Sequence, residues 1–266
     1  MQQTETYKKS EDSFQRPGLH ILSMGAGVQT TAMLLRYGRR MHHVIFADVG
    51  DEHPPTYEYI EKYLKPYCKE IGLPWHTVRN PKFASLMDKC LERHIMPVRT
   101  QRWCTHDFKI SPILRKLKEL GATRKVPANV HIGISIDESH RVSSDAWVDK
   151  PRYQHKCYPF IENRISRRDC YQIIEDHGWP VPPKSGCDFC PFAKRSEIRQ
   201  VASYDPRRYA QIVKMEQQAM AKDKLHMRSL LGGSPLTLNH TLGEYNGEEE
   251  EEEEPERTCD SGHCFL

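Results

Sequence analysis

Gly18-Leu19-His20-Ile21-Leu22-Ser23-Met24-Gly25-Ala26-Gly27-Val28-Gln29-Thr30-Thr31 is the stretch that decides the fold. The apolar run Leu19, Ile21 and Leu22 suits a buried strand. Met24 to Gly27 forms a glycine-rich turn, and Thr30 to Arg40 reads as a helix carrying Ala32, Met33, Leu34 and Leu35. Glycines let a backbone approach phosphate oxygens, and a helix N-terminus offers N–H groups and a favourable dipole. The turn is neither a Walker A loop nor a dinucleotide fingerprint, since the Lys and the third Gly are absent. Taken alone it is equally a tight turn.

Outward from this stretch, apolar runs alternate with helical spacing. Strands are expected at His43–Asp48, Trp75–Val78 and Asn129–Ile136, with an extended piece near Cys157–Ile161. Helices are expected at Thr56–Ile71 (shortened or kinked by Pro66), Phe83–His94, Pro112–Leu120, Ser166–His177 and Pro206–Lys222. Ser166 and Asp169 fit an N-cap and its first turn. Alternating strands and helices predict an α/β fold, a doubly wound and mostly parallel sheet of Rossmann-like type. Such sheets bind ligands at the carboxyl ends of their strands, where Ser23, Asp48 and Asp137 would converge. The expected organisation is a flexible segment 1–17, a nucleotide-binding domain 18–200, a helical extension 201–243 and an acidic, Cys-containing tail 244–266.

At 266 residues the chain can bury a real core. No apolar run is long enough to span a bilayer, and Met1–Arg16 lacks the apolar stretch of a secretory signal. Nine cysteines without that signal point to reduced thiols, metal ligands or reactive groups, and to the cytoplasm. Residues 244–266 carry ten acids and one Arg, a net of −9, which leaves about +12 on residues 1–243. That surplus is either a solvated surface or an attraction for a polyanion, a nucleic acid or a phosphorylated substrate. The seven-Glu run Glu248–Glu254 cannot pack and predicts disorder.

Four further motifs carry chemistry. Ala47-Asp48-Val49-Gly50-Asp51-Glu52 closes the second strand with acids suited to a ribose hydroxyl, an adenine amine or Mg²⁺, or to capping the next helix. Arg102-Trp103-Cys104-Thr105-His106-Asp107-Phe108-Lys109 sets one thiol among cations, which favour thiolate. Gly133-Ile134-Ser135-Ile136-Asp137-Glu138-Ser139-His140-Arg141 places an Arg suited to phosphate or sulfate near a strand end. Cys187-Asp188-Phe189-Cys190 can grip a soft metal, and Cys104 folding back would add a third thiolate. Cys68 and Cys90 lie on helical faces and read as core.

In this order the motifs resemble the phosphoadenosine phosphosulfate reductase family of the PP-loop, adenine nucleotide alpha-hydrolase-like superfamily, over roughly residues 18–200. The resemblance implies that Ser23, Gly25, Gly27, Gln29 and Thr30 cradle phosphate. It sets Asp48 near the ribose or adenine, with Lys109 and Arg141 at the anionic end. It also implies a 4Fe–4S cluster on Cys104, Cys187 and Cys190, with zinc as the alternative metal. The chain departs from the pattern twice. Cluster-bearing sulfonucleotide reductases have adjacent cysteines where this chain has Cys104-Thr105, leaving a fourth ligand to Cys157, Cys170 or none. ATP-cleaving relatives carry Asp where this chain has Gln29. Three-thiolate clusters resemble those of nucleotide-activating thiolation enzymes, implying ATP-dependent sulfur transfer, with a sulfur-donor protein and a nucleic acid as partners. The alternative is sulfonucleotide reduction, in which Cys259 or Cys264 in the Cys-Asp-Ser-Gly-His-Cys tail attacks sulfur and a thioredoxin-like partner resolves the product. A non-enzymatic zinc knuckle binding nucleic acid is the third reading.

Overall fold

The computed structural model describes residues 12–97, 102–142, 153–193 and 195–222. Its sheet has five parallel strands: β1 (His20–Met24), β2 (His43–Ala47), β3 (Trp75–Val78), β4 (Ala128–Ile132) and β5 (Gln154–Cys157). Their spatial order is β3-β2-β1-β4-β5. The chain runs outward from β1 to β3, then returns to the other side of β1, so the order reverses between β1 and β4. That reversal is where an open parallel sheet leaves a crevice at its carboxyl edge. Ser23 lies opposite Ile45 on β2 and Ile132 on β4.

The three central strands β1, β2 and β4 bury both faces, as the interior of a parallel sheet requires, while the edge strands β3 and β5 are part-exposed. Leu22, Met24, Val44 and Phe46 pack under α1 (Val28–Tyr37), α2 (Pro54–Tyr59), α3 (Lys65–Glu70) and α8 (Arg167–Asp176). Their neighbours Ile21, Ile45, Val130 and Ile132 face Ile113 and Leu117 of α6 (Ser111–Glu119). A third cluster joins α4 (Leu86–Arg93), α9 (Arg195–Tyr204) and α10 (Pro206–Lys222) to Phe189 and Cys190. The short helices α5 (Trp103–Thr105) and α7 (Pro159–Glu162) complete the set. Pro206–Lys222 forms the helix its sequence predicts. No helix among the described residues is long and apolar enough to cross a membrane.

Local chemistry explains where element ends depart from expectation. Ser85 and Asp88 exchange hydrogen bonds as a capping box, so α4 starts at Leu86 instead of Phe83. Ser166 and Asp169 make the same box at α8. β4 ends at Ile132 because Gly133 packs against the start of α1. A Cβ there would lie 2.9 Å from Thr30 Cγ2 and 3.1 Å from the Thr30 nitrogen. Two helical stretches contain five-residue π turns, Ile60–Leu64 before α3 and His106–Ile110 before α6. Each leads within two residues to a proline, Pro66 or Pro112, at the start of the next α segment. A proline cannot donate to the carbonyl four residues back and its ring crowds that carbonyl. The wider π turn relieves this without breaking the helix. The predicted kink at Pro66 is therefore a local widening. In the N-terminal stretch, Phe14 stacks on His131 with ring centroids 4.2 Å apart.

Candidate functional site

The turn after β1 is held by its own side chains. Gly25 N–H donates to Thr30 Oγ1 (3.3 Å), and the Thr30 hydroxyl donates to the Gly27 carbonyl (3.3 Å). Ala26 sits at φ +59°, a left-handed conformation that sharpens the turn. Gln29 and Thr30 are buried. Gln29 Nε2 donates to Glu138 Oε2 (3.2 Å), which also accepts from Arg141 Nη1 (2.5 Å). Arg141 is itself 1% exposed. Only Gly25 of this loop is part-exposed, and the loop leads into the N-terminus of α1, the end of a helix that attracts anions.

Asp48 is buried and fully engaged. It accepts from the Tyr57 hydroxyl (2.7 Å), Gly50 N–H (2.8 Å) and Arg79 Nε (2.9 Å). Gly50 is required in this turn, since its φ is +77° and a Cβ would meet the Ala84 carbonyl oxygen at 2.7 Å. The acids that follow reach the cysteine loop. Glu52 and Cys187 form an antiparallel bridge, His53 N–H donates to Gly186 O (2.9 Å), and Asp188 N–H donates to Asp51 O (3.3 Å). Cys190 N–H closes the knuckle onto Cys187 O (3.0 Å).

Asp188 anchors the knuckle from the other side. Its carboxylate pairs with His53 Nδ1 (2.7 Å) and accepts from the Tyr204 hydroxyl (2.9 Å) and Arg208 Nε (3.2 Å). Arg208 also grips Asp51. Helix α10 thus delivers one guanidinium between two buried carboxylates that fix the loops on either side of the cysteines.

This scaffold brings Cys104, Cys187 and Cys190 onto one cavity, together with Glu52, Arg102 and Lys109. Lys109 Nζ lies 3.3 Å from Glu52 Oε1. It also lines a second cleft with Ser23, Val130, Ile132 and Lys156 at the β1, β4 and β5 end of the sheet. A single lysine, carried on the π turn before α6, therefore borders both spaces. Burial works against its charge, but Glu52 and the thiols more than offset this and its pKa rises. The bond from Cys187, with Phe192 N–H and Lys109, lowers the Cys190 thiol against burial. Cys187, which gives that bond and is half-buried, is pushed well above the ordinary thiol value by the bond and by desolvation. Burial and the neighbouring Cys190 raise Cys104, while Lys109 opposes them.

Among the described residues no three His, Cys, Asp or Glu side chains are grouped so as to hold a single metal ion. The three thiols instead line one shared cavity. Soft sulfur donors of this kind suit an iron–sulfur cluster. Cys170 is packed against α1 in the first core cluster, and Cys157 ends β5 beside the His155 carbonyl, so neither lines the cavity. Cys68 and Cys90 are core residues, with the Cys68 thiol raised to about 12 by burial. Cys259 and Cys264 lie outside the described residues.

Arg102, His53 and Arg208 are site residues that sequence reasoning passed over. Arg102 stood inside the quoted motif, but nothing local links His53 or Arg208 to the cysteines. A further cleft, lined by Lys82, Phe83, Lys89, Arg93, Asp107 and Arg115, flanks the helical segment that carries Cys104.

No family model matches this sequence, and no curated protein matches it. Among solved structures, the chain is similar to phosphoadenylyl-sulfate (PAPS) reductase from Candida auris in its phosphate complex. The identity is 17% over 63% of this chain and 76% of that one, with a TM-score of 0.44. It is also similar to the U34-tRNA thiolase NcsA from Methanococcus maripaludis with its 4Fe–4S cluster, at 14% identity over 91% of this chain and 85% of that one, with a TM-score of 0.41.

Proposed function

We propose that this chain is an ATP-dependent sulfur-transfer enzyme of the PP-loop type, replacing a carbonyl-type oxygen of a nucleic acid by sulfur. The observation that carries this reading is the convergence of Cys104, Cys187 and Cys190 on one cavity whose Lys109 also borders the cleft at Ser23. In this reading the backbone of Gly25–Gly27 and the first turn of α1 bind the ATP phosphates at the switch point between β1 and β4. Adenylylation of the substrate oxygen releases pyrophosphate, and arrival of sulfur at that carbon releases AMP. Lys109 neutralises anionic charge between the two spaces. Cys104, Cys187 and Cys190 would hold a 4Fe–4S cluster, which when bound supplies a place for the sulfur to be transferred. The cleft with Lys82, Lys89, Arg93 and Arg115 offers a cationic track for a phosphodiester backbone, and Phe83 offers a ring for a base.

Anaerobic purification with iron, sulfide and zinc analysis tests the reading, repeated on Cys104→Ala. Iron and sulfide in the parent, lost in the variant, with pyrophosphate release from ATP in the presence of RNA, are expected. Zinc without iron, or metal content untouched by Cys104→Ala, overturns it. The tail sequence Cys259-Asp260-Ser261-Gly262-His263-Cys264 favours a second reading, reduction of a sulfonucleotide by a tail thiol. Sulfite release from an activated sulfate, abolished by Cys264→Ser or Cys259→Ser, distinguishes it.

A further inference from the structure

Three thiols leave one position of a four-donor set open, and one other anionic side chain is built into the same cavity wall. Glu52 is 5% exposed. Its Oε1 faces Lys109, whereas Oε2 is buried and has no hydrogen-bond partner among the described residues. A buried carboxylate oxygen without a donor is costly, so native structures rarely keep one that has no task. The backbone makes its direction necessary. Residues directly opposed across an antiparallel bridge project to the same side, and Glu52 is bridged to Cys187. Carboxylate and thiol therefore both line the cavity. Arg102 lines it too, and its Nε and Nη2 likewise lack partners among the described residues. A guanidinium and a carboxylate with unmet demands border one space without meeting each other, which reserves that space for something that engages both.

We propose that Glu52 is the fourth and displaceable ligand of the metal group that Cys104, Cys187 and Cys190 would hold. The inference rests on the cluster-bearing reading above and names what fills the position that reading leaves open. A carboxylate is a hard donor on a site otherwise made of soft sulfur, so a sulfur anion such as hydrosulfide outcompetes it. The exchange involves no change of oxidation state. Glu52 leaves as the anion it already is, and Lys109 is placed to take it up at 3.3 Å. At rest the side chain shields the open position, and an incoming sulfur anion opens it.

The test uses the full chain, loaded anaerobically with iron and sulfide, as parent, Glu52→Gln and Glu52→Ala, with Glu58→Gln as an exposed control. Electron paramagnetic resonance of the reduced protein and a hydrosulfide titration followed by visible absorption are the readouts. A self-ligand bound about 90% of the time weakens an external ligand about tenfold. Glu52→Ala is therefore expected to bind hydrosulfide about tenfold more tightly than the parent, with a resonance spectrum altered before any hydrosulfide is added. Glu52→Gln carries the test if circular dichroism shows that the alanine variant has lost its fold. Iron in all proteins, with unchanged spectra and equal hydrosulfide affinity in the folded Glu52 variants, overturns the inference alone. A parent that takes up no iron overturns the cluster reading itself.

Discussion

Arg208→Met tests whether α10 is the strut of the cysteine knuckle. The side chains of Asp51 and Asp188 are 1% and 6% exposed, and the Arg208 guanidinium is the group shared between them. Methionine keeps most of the apolar stem but removes the guanidinium, which lies over the Phe189 ring, leaving two buried carboxylates facing one gap. Removing one partner of a buried ion pair costs about 3–5 kcal/mol, because the remaining charge stays buried and uncompensated. The lower end applies here. Asp51 keeps the Met87 N–H at 2.6 Å, and Asp188 keeps His53 and Tyr204. A loss of about 3 kcal/mol is expected in urea unfolding followed by circular dichroism. Asp51→Asn combined with Arg208→Met removes one of the stranded charges and should recover about 1–2 kcal/mol of that loss, a coupling read directly from the double-mutant cycle. Because Asp188 lies between Cys187 and Cys190, labelling of those two thiols by a disulfide reagent should also quicken, while the remote Cys68 stays inert. A loss below about 1 kcal/mol, or a double variant no better than the single one, would refute the strut.

Acid should weaken the fold through His131, which is fully buried with its pKa lowered to about 3 by burial first, then by His20 and Arg40. The native ring stays neutral while the unfolded one gains a proton below about pH 6.5, so stability is full above that value and falls with pH. At pH 4.5 the loss from this group alone is about 3 kcal/mol, and urea midpoints across pH 4.5–7.5 should fall more steeply in the parent than in His131→Leu, which keeps the smaller contributions of His20, His43 and His76. Gly133→Ala should cost about 1–3 kcal/mol by forcing α1 away from β4, and should weaken binding of a fluorescent ATP analogue. Unchanged thermal midpoint and unchanged analogue affinity would count against the crevice as the phosphate site. Lys82→Glu and Arg115→Glu should weaken single-stranded RNA binding in fluorescence anisotropy. Each should also reduce the slope of log affinity on log salt by about 0.7, and an unaltered slope would remove the cleft from the RNA path.

What the sequence made legible follows from where each signal is stored. Ser166 and Asp169 cap α8 from three residues apart, and the apolar runs at β1 and β2 are self-contained, so these elements lie close to their expected positions. β5 is harder to read because Gln154, His155 and Lys156 form a polar edge strand whose pairing comes only from β4. The helical run from Trp103 carries no side-chain cap that separates it from loop. The site divides in the same way. Thiols are rare and chemically restricted, so Cys104 could be joined to Cys187 and Cys190 by what sulfur does, across a gap no periodicity bridges. Arginine is common and usually solvated, and Arg208 gains its role only because folding sets it between Asp51 and Asp188. Glu52 is the intermediate case. Its place after β2 suggested a polar function, but only the bridge to Cys187 turns that carboxylate toward the thiols and away from the nucleotide edge where the sequence placed its neighbour Asp48. Chemistry read from residue type thus names the donors, and strand pairing decides which of them share a cavity.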